Sequence, residues 1–255
     1  MRQAGAIARF TLVEALRTRM PWTFLVGAAI VLGLALFAGS LAPTGGAEFA
    51  VALAAAGLRL FAVSALALFV AASQAREMND KGMELVLALP IPRALWFFGR
   101  LAGHAAAAIA IAAASTVLMA LLQPPGALLA WGAALGAELI VVAAVTLLFT
   151  LTFAHVATAL CATGAFYLLA RGLDALLLVA HHPVGGVHSG ADEVMVAVLD
   201  AIALIVPPLA RFAPSEWLLY GGVLWSDLAP LALQAVLFLA LAASAALFDL
   251  YRRTF

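Results

Sequence analysis

The sequence predicts an all-α integral membrane protein in which six transmembrane helices follow an amphipathic interfacial helix. Three observations carry that prediction. The chain is 66% hydrophobic and only 10% charged, with a mean hydropathy of +1.13, whereas soluble domains carry about a quarter charged residues. Six apolar stretches reach the roughly 20 residues that a helix needs to cross a bilayer. Positive charges cluster between those stretches and hardly occur within them.

Residues 1–21 form the first element. At about 100° per residue, Leu12, Val13, Leu16 and Met20 share one face, and Thr11, Glu14, Arg17 and Thr18 gather on the other. Arg9 sits at the boundary, and Ile7 and Phe10 stray toward the polar side. A basic segment that only fixes orientation is the second reading of this stretch. It has no compact apolar core before Pro21, so it is not read as a cleavable signal. Pro21-Trp22 then supplies a bend and an aromatic anchor.

The first two spans fall at 22–42 and 49–74, within residues 22–74. A charged loop occupies 75–99. Three more spans, 100–122, 127–153 and 156–180, fill residues 100–180. An extracytoplasmic segment with short helices covers 181–226, the sixth span is 227–249, and 250–255 is a tail. Within that segment Val194 to Leu209 is apolar, but Asp200 interrupts it and Pro207-Pro208 stops it, which predicts an interfacial or re-entrant piece. The spans and their connections use up residues 1–255 as a single membrane domain, with no internal repeat.

Ten of the 13 Lys and Arg residues lie at Arg2, Arg9, Arg17, Arg19, Arg76, Lys81, Arg93, Arg100, Arg252 and Arg253. Six spans put all of them on one side, which the positive-inside rule makes the cytoplasm. Both termini are therefore expected there. The outer segment holds Arg211 against Asp192, Glu193, Asp200 and Glu216, which agrees with this orientation.

The loop reads "EMNDKGMELVLALPIPR" from Glu77 to Arg93. Gly82 breaks the helix leaving the membrane, Met83 to Leu89 can form about two turns, and Pro90 and Pro92 end them. Met83, Val86, Leu87 and Pro90 would share a face suited to a groove on another protein. This passage resembles the loop after the second span of ABC-2 type exporter permeases. Glu77, Gly82, Glu84, Leu85, Leu87, Pro90, Ile91 and Arg93 carry the match, while Met83 and Pro92 stand where Thr or Ser, and Ser, are common. "VPPLARFAPSEWLLYG", Val206 to Gly221, further resembles the branch associated with multicopper-enzyme maturation.

The resemblance implies that Glu77, Lys81, Gly82, Met83, Glu84, Leu85, Val86, Leu87, Pro90, Ile91 and Arg93 form a coupling helix and its flanks, docking on a separate ATPase subunit. This chain cannot supply the ATPase itself. A phosphate-binding loop needs Gly-Lys followed by Ser or Thr, and Lys81, the only lysine, is followed by Gly82. The expected protein is a non-catalytic permease of a bacterial inner membrane, without a cofactor of its own. ATP and Mg would be bound by nucleotide-binding subunits beneath two permease copies, a homodimer. The bilayer is a further partner, a periplasmic accessory protein an option, and nucleic acid is not expected.

Four charges fall inside the spans: Arg59, Glu138, Arg171 and Asp174, roughly 15, 16, 14 and 9 Å from the outer ends of their helices. Arg171 and Asp174 can pair along one helix at i, i+3, and Arg59 with Glu138 is the natural pair across helices. Buried ion pairs, a transport path or gate, and a proton relay are three readings of this layer. Small residues recur at helical spacing at Gly99/Gly103, Gly132/Gly136, and at Ala157, Cys161, Gly164 and Ala165. In ABC-2 permeases the fifth span lies near the subunit interface, so the last set is the expected dimer seam, with packing inside one subunit as the alternative.

His181, His182 and His188 with Asp192 could ligate copper or zinc, or form a solvated polar loop. His104 and His155 are single and read as helix-end or satisfied core residues. Cys161 is alone, which excludes a disulfide within the chain. An ion-coupled secondary transporter using the charged layer is the competing function, and an intramembrane enzyme a third. The topology is open to a direct check with Ser189→Cys and Thr254→Cys in a Cys161→Ala background. An impermeant thiol reagent applied to cells with a permeabilised outer membrane should label position 189 and spare 254; the reverse pattern overturns the orientation.

Overall fold

The computed structural model describes residues 2–79, 92–153, 155–181, 190–221 and 225–252. Every regular element among them is helical. In chain order they are α1 (Arg2–Arg17), α2 (Met20–Leu41), α3 (Gly46–Asn79), α4 (Arg93–Met119), α5 (Pro125–Thr152), α6 (Val156–His181), α7 (Gly190–Ile205), a 3-10 turn (Leu209–Arg211), α8 (Glu216–Tyr220) and α9 (Trp225–Arg252). Six of these, α2 to α6 and α9, are long and apolar enough to cross a membrane. Lys81 to Ile91, which hold most of the proposed coupling helix, lie outside the described residues.

The chain turns from α1 into α2 because Thr18 closes the first helix. Its hydroxyl donates to the carbonyls of Glu14 at 2.9 Å and Ala15 at 3.0 Å, and Pro21 occupies the first turn of α2, where a missing N–H costs nothing. A tight hairpin joins α2 to α3. Gly45 takes φ +64°, and a Cβ on Gly39 would stand 2.6 Å from the Gly46 carbonyl oxygen. Only glycine allows both.

Helix α5 is the axis of the bundle. It packs on α3, α4, α6 and α9, and Trp131, Leu135, Leu139, Leu147 and Leu151 are buried along it. Helices α6 and α9 lie at the periphery with most of their surface outward. At one end of the bundle Thr152 donates to Asp249 at 2.6 Å and Arg93 donates to the Leu250 carbonyl at 2.8 Å, so α5 and α4 hold the last turn of α9. Arg93 also lies 5.9 Å over the Tyr251 ring. The motif residue expected to flank the ATPase contact thus caps a helix C-terminus.

Two helices extend beyond the apolar stretches expected at 49–74 and 100–122: α3 runs through Asn79, in keeping with a helix that breaks at Gly82, and α4 starts at Arg93. With 34 residues, α3 is about 51 Å long, well beyond the roughly 30 Å hydrocarbon core. Helical hydrogen bonding continues past the apolar stretch because charged residues satisfy helix geometry as well as apolar ones do.

Helix α1 lies along the first half of α4 with its polar side inward. Thr11 and Ala15 are buried while Phe10 and Leu16 are exposed, so Leu16 of the expected apolar face looks outward, although Met20 of the same face packs against the core. Lipid tails are as apolar as leucine, which leaves polar contacts and close backbone approach to decide which face meets protein. Both occur here. Gly99 and Gly103 open a groove in α4 in which Ile7 and Thr11 sit.

Gly103 therefore sets how closely α1 can approach. A Cβ there would meet the Thr11 Cβ at 2.5 Å and the Ala8 carbonyl oxygen at 2.9 Å, whereas nothing lies within 4 Å of a Cβ on Gly164. Gly103→Ala should destabilise the detergent-solubilised protein by about 1–3 kcal/mol, and Gly164→Ala should leave thermal melting unchanged. Equal melting of both variants would show that α1 does not pack as described.

Candidate functional site

Two polar clusters stand out in this apolar bundle, one at the C-terminal end of α3 and one partway along it at Arg59. The first joins three helices where α3 ends and α4 begins. Ser73, Arg76 and Glu77 share a face of α3, and Trp96 and Arg100 share one of α4 by their i, i+4 spacing. Glu14 reaches in from α1. Its carboxylate accepts from Ser73 at 2.9 Å, Arg76 at 3.0 Å and Arg100 at 3.3 Å. Arg100 also donates to Thr11 at 3.2 Å and forms an ion pair with Glu77, which accepts from the Trp96 indole at 3.2 Å.

Arg100 is the hub. Its side chain is 3% exposed, and a guanidinium that far from water requires counter-charges. Glu14 and Glu77 supply them from two different helices. Burial by itself raises the Glu14 pKa. The bonds from Arg76 and Ser73, with the charges of Arg100 and Arg76, outweigh that and hold it below the ordinary glutamate value. Glu14 thus keeps its charge at neutral pH, and its contribution is lost only in acid, as pH falls through the depressed value.

The second cluster contains the intramembrane charges, and their pairing differs from the expected one. Glu138, fully buried on α5, pairs with Arg171 of α6 at 3.2 Å. Asp174 pairs with Arg211 at 3.3 Å. Arg59 donates to the carbonyl of Ala213 at 2.8 Å. Tyr167, placed one turn before Arg171, interacts through its hydroxyl with both Glu138 and Arg59.

The reason for this arrangement lies in the segment after α7. Pro207, Leu209, Phe212 and Ala213 of that segment are buried in the bundle. The stretch expected to be interfacial or re-entrant, Val194 to Leu209, instead lies mostly in α7, a helix that runs through Asp200 without interruption. The carbonyls that follow it take side-chain donors. Arg171 donates to the carbonyls of Leu209 at 2.7 Å and Phe212 at 3.1 Å, and Trp131 donates to Ala213 at 3.0 Å. Ala213 has φ 45°, a left-handed conformation that a non-glycine residue holds only when its surroundings over-determine it. Arg59 and Trp131 both grip its carbonyl. An i, i+3 bond to Asp174 would have turned Arg171 away from the Phe212 carbonyl and from the Leu209 carbonyl, which it shares with the Phe212 N–H.

The remaining candidate residues are less concentrated. Ala157, Cys161, Gly164 and Ala165 form an outward-facing stripe on α6. His181 lies 3.1 Å from Asp200 on α7, with both exposed. His182 and His188 are outside the described residues, as is the side chain of Asp192. Among the described residues no three metal-ligating side chains gather. His104 is a core residue, edge-on to Phe69 at 5.7 Å, but neither ring nitrogen has a hydrogen-bond partner, so it is not the satisfied histidine expected. His155 is exposed.

Sequence reasoning missed Glu14, Arg76 and Arg100 as a site because each had a simpler role, as polar helix face or orienting charge. Their helical spacing was the available signal. Trp131 and Tyr167 gave none, since an aromatic in a span is usually packing. The chain matches no protein-family model and no curated protein.

Because Arg171 serves one carboxylate and two carbonyls, Arg171→Gln should cost more than Glu138→Gln, with losses of roughly 3–5 kcal/mol when one partner of such a pair is removed. The double variant should fall short of the summed losses by about 1–3 kcal/mol in urea or thermal unfolding. Additive losses would remove the pair from the account.

Proposed function

We propose that this chain is the membrane-spanning permease subunit of an ABC-2 type exporter, working as two copies above two nucleotide-binding subunits that hold ATP and Mg. The observation that carries the reading is the placement of the first cluster. The loop bearing the exporter-like motif leaves α3 just after Glu77 and re-enters α4 at Arg93, and Glu77 is paired with Arg100 of α4 and, through it, with Glu14 of α1. Any force applied to that loop reaches both of its helical stems and the interfacial helix together.

Coupling of this kind needs stiff connections rather than a chemical group, and the cluster supplies them. The outward-facing small residues of α6 offer a surface for the second copy. A secondary transporter has less support, because Arg59 and Arg171 are committed to backbone carbonyls and Glu138 to Arg171. The cytoplasm is assigned to the arginine-rich end by the charge rule.

The test is to purify the tagged chain from its own host and reconstitute it with the ATPase that accompanies it. Leu87→Asp and Glu84→Arg should abolish that co-purification. Glu77→Gln should keep the ATPase bound yet reduce permease-stimulated ATP hydrolysis by roughly tenfold, within the usual range of coupling between sites. Absence of any Walker-type ATPase from the purified material, or full coupling in all three variants, would overturn the assignment.

A further inference from the structure

A groove of about 820 Å³ runs between α2 and α3 on the outer surface of the bundle, beginning at Arg19 and Arg76 and ending near Phe61. Gly27 opens its floor, where a Cβ would collide with the Phe61 ring, and Phe24 stacks on that ring at 5.6 Å. Its hydroxyls are already used. Thr18 donates to Glu14 and Ala15 carbonyls, Thr23 to Met20 and Ser64 to Leu60, so the wall presents nothing polar to an occupant below the rim. The rim is cationic: Arg19 is exposed and makes no ion pair with any described carboxylate, and Arg76 keeps 48% of its side chain exposed beside its bond to Glu14.

We propose that this groove holds one anionic phospholipid of the adjoining leaflet, its phosphate at Arg19 and Arg76 and an acyl chain lying over Gly27, Ser64 and Leu68. Charge and length both select this occupant. From Arg76 to Phe61 the groove extends about 22 Å along α3, which matches the depth of a single leaflet with its headgroups, half of a bilayer of roughly 40–45 Å. A transmembrane helix from a second copy or another protein would need an apolar groove through both leaflets, and it would bring no anion to the two arginines. The inference requires only that the chain sits in a bilayer and is independent of coupling to an ATPase.

The measurement is native mass spectrometry and thermal melting of the delipidated full-length protein titrated with dioleoyl phosphatidylglycerol or dioleoyl phosphatidylcholine. Phosphatidylglycerol should be retained and should raise the melting temperature more than phosphatidylcholine does. Arg19→Gln should weaken its apparent affinity about fivefold, the loss expected for one cation near an anionic headgroup, without changing the melting of the lipid-free protein. Ser64→Trp should displace both lipids, while Leu233→Trp, on the exposed face of α9, should leave binding intact. Should Ser64→Trp fail to yield protein, Arg19→Gln decides alone. Equal retention of the two lipids, an Arg19→Gln titration identical to that of the unsubstituted chain, or a groove variant that instead shifts the monomer–dimer ratio in light scattering would overturn the proposal.

Discussion

A backbone carbonyl withdrawn from water inside a bilayer has to find a donor; in the turn from Pro207 to Ala213 backbone N–H groups serve Pro208 and Leu209, and side chains serve Phe212 and Ala213. Arg59, Arg171 and Trp131 supply donors from three different spans. Pairing Arg171 with Glu138 offsets the cost of keeping that cation in the interior. The position of the turn, and with it the mutual spacing of α3, α5 and α6 at that level, follows from this one requirement.

The arginine-rich end solves a different problem. Among the described residues there, what is joined is helix to helix. Arg100 links Glu14 and Glu77, while Arg93 and Thr152 hold the last turn of α9. Close approach through Gly99 and Gly103 lets α1 come near enough for Thr11 and Glu14 to reach Arg100. Packing and charge depend on each other here, since neither glycines nor carboxylate would place α1 alone.

The six apolar helices and the helix that precedes them were legible because length and hydropathy act locally, one segment at a time. The stop after the apolar stretch was legible from Pro207-Pro208 for the same reason, but Asp200 lies inside α7 and does not interrupt it. Pairing was less so. Arg59 with Glu138 and Arg171 with Asp174 are sensible when only charged side chains are counted, and the acceptors that redirect them are main-chain carbonyls, which carry no residue-type signal. The inward polar face of α1 escaped because a helical wheel treats the apolar side as the one that seeks protein, a rule that water enforces and lipid does not. His104 shows the same limit, since its burial beside Phe69 depends on how α3 and α4 meet.

Arg59 stands partway along a rod of 34 residues, and its bond to Ala213 pins the rod there. A pinned rod is a lever, with Arg59 as the fulcrum. The arm toward Asn79 is about 30 Å long and the arm toward Gly46 about 20 Å. A rod turning about that point would return motion of the long arm at the short one in the opposite sense, reduced by about a third. The short arm ends where Gly46 meets Gly39 backbone to backbone, a joint with no side chain to yield, so α2 has to move with it.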